Sequence, residues 1–328
     1  MGVNNKNRLR VWVTGVALLL IAAIMIIFIA GQVARYKLAK QYPAPGFMVT
    51  AHNHKLHLHC EGKGPVTVFL VAGLNEFSLH WSGLQPLLAR ETKTCSYDRA
   101  GLGWSEPAEH APALDNSVSD LHELLQARGD KSPVVLVGHS YGAVLVRLYA
   151  QRFPENIKAI VLLDPASEYM PERIIGYAAA LESATTQFRH FAPLASLGLI
   201  ALSAENIPSG LLRGEAIEQY RAVLASGSFF EATSAETAEM INNLQTMQSV
   251  GQQPLVKIPV VVISRGLPEP IPGLPLASAQ SLEQVWSQLQ AELVDKMHAK
   301  QIIAEKSGHS IQLTQPSLVF ETIRRFTN

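Results

Sequence analysis

Short apolar runs rich in β-branched residues alternate with amphipathic segments along this chain, and this alternation constrains the fold more than any other feature. The runs at 66–71, 93–97, 133–137, 157–163, 258–264 and 301–304 predict strands. The segments at 82–90, 116–128, 143–152 and 316–326 predict helices. Strands that alternate with helices form a mostly parallel sheet with helices on both faces. The sequence therefore predicts an α/β fold, preceded by a hairpin at 47–60.

The segment at 168–253 interrupts this alternation. It is rich in Ala, Leu, Glu and Gln and has no strong strand pattern. An insertion between two strands of such a sheet lies over the strand ends, where ligands bind in this class of fold. We therefore expect residues 47–328 to form one domain whose helical insertion acts as a lid.

The net charge of the chain bears on whether it binds nucleic acids. The chain carries 27 basic and 27 acidic residues, so its formal net charge is zero. This balance gives no electrostatic reason to expect a nucleic acid as a partner.

The first forty residues differ in kind from the rest. Residues 11–31 carry no charge and are mostly Val, Leu, Ile and Ala, and a helix of that length spans roughly 30 Å, the hydrocarbon thickness of a bilayer. The run is longer than the apolar core of a signal peptide, and no clear cleavage site follows it. We expect a tail at 1–10, a transmembrane anchor at 11–34 and a linker at 35–46. A cleaved signal peptide and a buried helix are the alternatives.

Orientation in the membrane depends on weaker signals. Basic residues flank the apolar run on both sides, so the positive-inside rule is nearly balanced. The amino terminus favours a cytoplasmic tail, which leaves the catalytic domain extracytoplasmic. Cys60 and Cys95 both fall in predicted strands. They could form a disulfide, which needs an oxidising compartment, or remain two buried thiols.

The pentapeptide Gly138-His139-Ser140-Tyr141-Gly142 matches the pattern Gly-x-Ser-x-Gly, and its setting makes the match informative. It directly follows an apolar strand and directly precedes a predicted helix. A tight strand-to-helix turn of this kind strains the serine backbone and exposes the hydroxyl, while the glycines leave room where a Cβ would clash. We predict Ser140 as a nucleophile and the N–H of Tyr141 as an oxyanion donor.

The candidate base is His309, one of 11 histidines. It follows the last predicted strand, so it would lie at the same carboxyl edge of the sheet as Ser140. His139 adjoins the serine, but we expect it to point the other way along the turn and to serve either in packing or in contacts that support the catalytic residues.

The third catalytic residue is open between two acidic positions. Asp164 directly ends the strand after Ser140, and Glu269 follows the next strand by a short loop rich in proline. The sequence favours Asp164, because this short side chain emerges directly from a strand, over Glu269 and over a more distant residue such as Asp295.

Three loops carry further polar groups. After the strand at 66–71, the N–H of Leu74 is the simplest second oxyanion donor. We expect the loop at 97–105 to be rigid and braced by Asp98 or Arg99. The hairpin carries four histidines that look like a metal cluster, namely His52, His54, His57 and His59. No carboxylate or thiolate completes that cluster in sequence, so we predict a solvated hairpin and no metal.

Together these motifs resemble the α/β-hydrolase superfamily, in particular bacterial members with an N-terminal transmembrane segment. The similar segments are Leu56-His57-Leu58-His59-Cys60-Glu61-Gly62, Tyr97-Asp98-Arg99-Ala100-Gly101-Leu102-Gly103-Trp104-Ser105, Gly138-His139-Ser140-Tyr141-Gly142, Val161-Leu162-Leu163-Asp164-Pro165 and Ser307-Gly308-His309. The resemblance implies an eight-stranded sheet in which the second strand lies beside the fourth, which would bring Cys60 next to Cys95 and favour the disulfide. The chain departs from the family pattern at the acid, because the common aspartate after the seventh strand is absent.

The resemblance also implies esterase-type activity. The expected reaction is hydrolysis of a carboxylic ester, small or lipid-like, through an acyl-enzyme on Ser140, and it needs no cofactor. A serine in place of an aspartate argues against epoxide hydrolysis and dehalogenation, which proceed through an aspartyl ester on this fold. Acyl transfer, peptide hydrolysis and C–C bond hydrolysis would use the same residues. A non-catalytic binding protein that kept the fold is a further alternative.

Overall fold

The computed structural model describes residues 3–129, 131–251, 258–274 and 276–327. The predicted segment limits at residues 1, 253 and 328 lie outside the described residues. One sheet has eight strands, which are β1 Phe47–Ala51, β2 His54–Glu61, β3 Thr67–Val71, β4 Lys93–Tyr97, β5 Val134–His139, β6 Ile157–Leu163, β7 Val260–Arg265 and β8 Lys300–Ala304. Their spatial order is β1-β2-β4-β3-β5-β6-β7-β8. The β1–β2 and β2–β4 pairs are antiparallel and the others are parallel. The predicted eight-stranded, mostly parallel sheet is confirmed, with the second strand beside the fourth.

The helices follow the strands as the alternation predicts. They are α1 Val3–Gln41, α2 Gln85–Leu88, α3 Leu114–Ala127, α4 Tyr141–Arg152, α5 Met170–Arg173, α6 Tyr177–Ser196, α7 Glu215–Leu224, α8 Gly227–Val250, α9 Leu276–Lys296, α10 Ile311–Thr314 and α11 Pro316–Ile323. Short 3₁₀ turns lie at Ser78–Trp81, Ala201–Asn206 and Arg324–Phe326.

The central strands are buried on both faces, which explains their unbroken apolar sequences. Every residue of β3 and β5 is buried, as expected for parallel strands covered by helices on both sides. On β3, Phe69 faces a core shared with α3, α4 and α9. Its neighbours Val68 and Leu70 face a second core shared with α2 and α11.

Two helical assignments differ from expectation. The single helix predicted at 82–90 is wrong, because Pro86 has no N–H to continue a helix from residue 82; a short helix begins instead at Gln85, with Pro86 in its first turn. The sequence reading also missed α9. Its buried residues Leu282, Trp286 and Leu289 recur at helical spacing, so that signal was present in the sequence.

Helices α5 to α8 lie between β6 and β7 in the chain, and we call them the lid. Apolar side chains of α6, α7 and α8 form a third core with residues of the loops after β3 and β4. Phe77 lies near its centre, stacked on Tyr220 and edge-to-face with Phe229 of the lid. The lid therefore packs over the carboxyl edge of the sheet.

Helix α1 contacts the domain around Gly31, near its carboxyl end, and its preceding apolar part is exposed. It is long and apolar enough to cross a membrane, and its most apolar window has no buried residue.

The two cysteines lie on neighbouring strands. Cys60 on β2 is directly opposite Cys95 on β4 in the antiparallel register. A disulfide joins these two residues.

Candidate active site

Ser140 lies at a sharp turn between β5 and α4. Its backbone angles are φ 51° and ψ −117°, a conformation that residues other than glycine rarely adopt. A Cβ on Gly138 would lie 2.7 Å from the Cα of Ala143, and a Cβ on Gly142 would lie 2.2 Å from the carbonyl oxygen of Val71. Both glycines are therefore required for this turn, which presents the serine hydroxyl at the end of the strand.

His309 lies in the loop after β8, and its ring is held by Asp164. The Nδ1 atom of His309 is 2.7 Å from Oδ2 of Asp164. The Asp164 side chain is completely buried, and its Oδ1 accepts hydrogen bonds from the indole N–H of Trp286 at 2.9 Å and from the backbone N–H of Arg265 at 3.1 Å. The carboxylate is thus fully engaged on both oxygens.

The environment of Asp164 favours its charged form. Burial by itself would raise the pKa of Asp164, but the hydrogen bond and charge of His309, the charge of Arg265 and the Trp286 N–H outweigh it, so the pKa lies below its ordinary value. An ionised carboxylate only accepts hydrogen bonds, so the Nδ1 of His309 must donate. In a neutral ring this leaves Nε2 as the atom that can accept a proton.

Glu269 contacts His309 in a different way. Its Oε2 accepts a hydrogen bond from the backbone N–H of His309 at 2.6 Å. A Cβ on Gly308 would lie 2.1 Å from the same oxygen, so only glycine at 308 allows this contact. Glu269 therefore holds the main chain of the histidine loop, while Asp164 holds the ring. Asp295 lies near the end of α9 and does not line the cavity around Ser140.

His139 lines the cavity at Ser140, so the expectation that it points the other way along the turn is wrong, although it does contact the loop of His309. Its Nδ1 is 2.7 Å from Oε2 of Glu76, and its Nε2 is 3.0 Å from the carbonyl oxygen of His309. The turn at Ser140 places this ring beside the loop of His309, between the Glu76 carboxylate and the His309 carbonyl oxygen. Because a carboxylate and a carbonyl both accept hydrogen bonds, both ring nitrogens carry protons and His139 is a cation.

The pKa values of this pair agree with the geometry. Burial would lower the pKa of His139, but the charge and hydrogen bond of Glu76 raise it above its ordinary value. Burial would likewise raise the pKa of Glu76, but His139 holds it well below its usual range. The sequence reading missed Glu76, and its place in the loop after β3 was the only available signal.

The loop after β3 leaves one N–H free near Ser140. The N–H of Gly73 donates to Glu76 at 2.8 Å, and the N–H of Asn75 donates to Glu236 at 2.8 Å. Within the ranges that the structure describes, the N–H of Leu74 between them has no hydrogen-bond partner. Tyr141 is the first residue of α4, a position whose N–H has no partner inside the helix. These two groups are available to a developing oxyanion.

Arg99 connects that loop to the lid. Its guanidinium donates to the carbonyl oxygens of Ala72 at 2.7 Å and Gly73 at 2.6 Å. It also forms a buried ion pair with Glu236 of α8, with Nη2 2.9 Å from Oε2. Asp98 braces the other side of its own loop by accepting from the N–H groups of Ser78 and Trp104. The rigid loop expected at 97–105 therefore uses both residues.

Ser140, His309 and Leu74 line one cavity of about 220 Å³. Its walls are largely apolar and come from the lid, the loop after β7 and α9, through Met170, Tyr177, Leu181, Ile271 and Trp286. In the described part of the chain the Ser140 hydroxyl makes no hydrogen bond to His309. Such catalytic contacts are often long without substrate and tighten in the complex.

The prediction of a solvated hairpin is wrong for His54 and His57, which are buried, and holds for the exposed His52. The His57 side chain is fully buried, and its Nδ1 is 2.9 Å from Oδ2 of Asp98. The reason is Asp98, a carboxylate on the neighbouring strand end that the hairpin sequence does not reveal. His54, His110 and Asp120 bring their ligand atoms within 4.8 Å of one another and could hold a divalent metal. This group lies apart from the cavity at Ser140.

Parts of the chain are similar in sequence to known proteins. The α/β-hydrolase fold family model matches residues 66–190. The chain is 38% identical over 108 residues to uncharacterized protein YqjL of Bacillus subtilis (strain 168), covering 33% of this chain and 43% of YqjL. It is 36% identical over 115 residues to lipase LipV of Mycobacterium tuberculosis (strain ATCC 25618 / H37Rv), covering 34% of this chain and 42% of LipV. The chain therefore spans less than half the length of these two relatives.

Solved structures extend the likeness to the whole fold. The structure of epoxide hydrolase CorEH without ligand matches with a TM-score of 0.61 over 85% of this chain and 97% of that one, at 16% identity. At this identity the likeness shows the fold alone. The chain has the α/β-hydrolase fold, and its residues 66–190 match the family model of that fold.

Proposed function

We propose that this protein is a membrane-anchored serine hydrolase that cleaves carboxylic esters through an acyl-enzyme on Ser140. The observation that supports it most directly is the pairing of His309 with the buried Asp164 in a cavity that Ser140 also lines. Of the two acids that the sequence left open, Asp164 contacts the ring and Glu269 contacts the backbone. We therefore assign Asp164 as the acid of the triad and Glu269 as a positioning residue.

The proposed reaction uses the free Nε2 of the His309 ring, whose Nδ1 contacts Asp164. Nε2 of His309 takes the proton of Ser140 as its oxygen attacks the ester carbonyl. The N–H groups of Leu74 and Tyr141 hold the negative oxygen of the tetrahedral intermediate. His309 returns the proton to the leaving alcohol, and a water molecule, again deprotonated by His309, releases the acid.

The walls of the cavity favour a neutral ester with apolar groups. Apolar side chains of the lid and α9 form most of its lining, and they suit the hydrocarbon part of an ester. The carboxylate of Glu76 also lines the cavity. Its charge is paired with that of His139 in the same lining, so the apolar walls set the preference. Ester cleavage also agrees with the name of the lipase relative.

The placement of the enzyme follows from α1 and the disulfide. We propose that α1 anchors the chain in a membrane as a single span, because its apolar length matches a bilayer. The bond between Cys60 and Cys95 needs an oxidising compartment. The catalytic domain therefore lies on the extracytoplasmic side.

Labelling with a fluorophosphonate tests the nucleophile in the full chain in detergent micelles. We expect one adduct on Ser140 and hydrolysis of p-nitrophenyl esters. The substitution Ser140→Ala should remove the adduct and lower kcat about 10³-fold or more, since the remaining site residues cannot replace a nucleophile. Ser203→Ala on the exposed lid surface is the matched control and should leave both readouts unchanged. If the folded wild-type protein is not labelled, the result would contradict the serine hydrolase and favour a non-catalytic binding function.

A further inference from the structure

One end of the lid exposes a group of large apolar side chains. They lie on the last turns of α6 and the turn after it, a segment at 191–202 that we call the lid tip. Its exposed members are Phe191, Leu194, Leu197 and Leu202, and Leu197 is 47% exposed. Such a patch on a single domain indicates a surface that meets an apolar partner.

The lid tip is in direct contact with α1. A Cβ on Gly31 would lie 2.9 Å from the carbonyl carbon of Gly198, and a Cβ on Gly198 would lie 2.4 Å from the carbonyl carbon of Gly31. The two backbones therefore touch. The side chains of Gln32 and Arg35 add hydrogen bonds of 3.1 and 2.8 Å to the carbonyl oxygen of Ser196.

This contact falls where the apolar run of α1 ends. The uncharged stretch at 11–31 is about 30 Å long, the thickness of a hydrocarbon core. Arg35 is the first charged residue after it, and Tyr36 beside it is 68% exposed. Aromatic and basic residues of this kind favour the membrane–water interface. In a bilayer crossed by α1, the hydrocarbon boundary therefore lies at Gly31, level with the lid tip.

We propose that the lid tip docks on the bilayer that α1 crosses, with Leu194, Leu197 and Leu202 buried among the lipids. The inference depends on the membrane anchor of the proposed function. A bilayer is the occupant that the geometry requires, because any membrane around α1 must reach the residues that contact Gly31. Burial of these leucines adds to the hold of the single span.

Docking of the lid tip also bears on the substrate. Helix α6 begins at Tyr177, and Tyr177 and Leu181 line the cavity at Ser140. The same helix therefore joins the bilayer surface to the wall of the active site. We infer that the preferred substrates are esters that partition into the bilayer, which the docked lid keeps close to the site.

Fluorescence quenching of the full chain in phosphatidylcholine vesicles tests the contact. Both native cysteines are in the disulfide, so a new cysteine can be labelled selectively with NBD under non-reducing conditions. Leu197→Cys carries the probe on the lid tip. Ile303→Cys, an exposed apolar position on β8, is the matched control. Lipids with a nitroxide high on the acyl chain should quench the probe at 197 and leave the probe at 303 bright. Equal quenching at both positions, or none at 197, would overturn the proposal.

A triple variant, Leu194→Asn, Leu197→Asn and Leu202→Asn, tests the link to the substrate. We expect a several-fold loss of activity on a long-chain ester embedded in vesicles and no change on soluble p-nitrophenyl acetate. Equal losses on both substrates would overturn the link. Quenching at 197 in a protein that hydrolyses neither ester would support docking while contradicting the esterase, so the two proposals fail separately.

Discussion

At the scale of single residues, the site combines two acids with different tasks. Asp164 contacts the ring of His309, and Glu269 contacts its backbone N–H. An acid on the ring fixes the tautomer and stabilises the imidazolium that forms during the reaction. An acid on the backbone only places the loop. This difference gives a quantitative prediction.

We expect Asp164→Asn to lower kcat about 10⁴-fold, because an amide at this position no longer enforces the reactive tautomer of His309. Glu269→Gln should lower kcat about tenfold or less, since its amide oxygen can still accept the backbone hydrogen bond. Steady-state hydrolysis of p-nitrophenyl esters and the rate of fluorophosphonate labelling measure both effects. The reverse order of losses would assign the triad to Glu269.

Gly142, two residues after Ser140, is the subject of a second prediction at this scale. A Cβ on Gly142 would lie 2.2 Å from the carbonyl oxygen of Val71, whereas at Gly83 the nearest atom would be 3.8 Å away. Gly142→Ala should therefore destabilise the fold by about 1–3 kcal/mol and displace the oxyanion loop. Gly83→Ala should leave thermal stability and kcat close to wild type. Equal melting temperatures for the two variants would show that the turn is not as tightly packed as its geometry indicates.

At the scale of elements, a buried ion pair fixes the base of the lid. Glu168, just before α5, receives two hydrogen bonds of 2.8 and 2.9 Å from Arg147 of α4. Lys296 of α9 adds a contact of 2.9 Å. Burial would raise the pKa of Glu168, but the charge and hydrogen bonds of Arg147 lower it to about 2 from an ordinary 4.5.

This shift predicts the pH dependence of stability. Because the folded pKa of Glu168 lies below its unfolded value, its contribution is complete above pH 4.5 and is lost as the pH falls towards 2. Its size is about 3 kcal/mol. Glu168→Gln should therefore be much less stable than wild type at pH 5.5, and the gap should narrow at pH 3.5 in urea unfolding. Glu292→Gln, which removes an exposed pair with Arg173, should change stability by less than about 1 kcal/mol at either pH. A gap that does not depend on pH would contradict this role of Glu168.

The disulfide between β2 and β4 makes a further prediction for an element. It closes a loop between residues separated by 35 positions, and the lost chain entropy raises the free energy of the unfolded state by about 3–4 kcal/mol at room temperature. Replacement of both cysteines by serine should reduce the free energy of unfolding by that order. Kinetics on soluble esters should change little, since neither residue lines the cavity at Ser140. A wild-type chain that is purified without reductant yet has two free thiols would contradict the bond.

At the scale of the whole molecule, α1, the lid and the sheet form one connected path. The lid tip contacts α1 at Gly31, and α6 continues to the cavity wall. Helix α8 then connects to the oxyanion loop through the pair of Glu236 and Arg99. The lid therefore contacts α1 at one end and both walls of the cavity at Ser140 at the other.

The sequence by itself determined most of the elements and the positions of the first two catalytic candidates. The strand predicted at 157–163 is the observed β6, Ile157–Leu163, because a parallel strand buried on both faces is an unbroken apolar run. Ser140 and His309 were identifiable because turn chemistry and strand ends are local features. The predicted position of the lid segment was local in the same sense, since it is a break in an alternating pattern.

Only the tertiary structure decided which polar groups meet. Three contacts join residues far apart in the chain: the His309 ring with Asp164, His139 with Glu76, and His57 with Asp98. Hydrogen bonds of this kind depend on distances of about 3 Å between strand ends, and no periodicity in the sequence reports them. The contact between α1 and the lid tip has the same origin, because two glycines reveal their close approach only when the chain is folded.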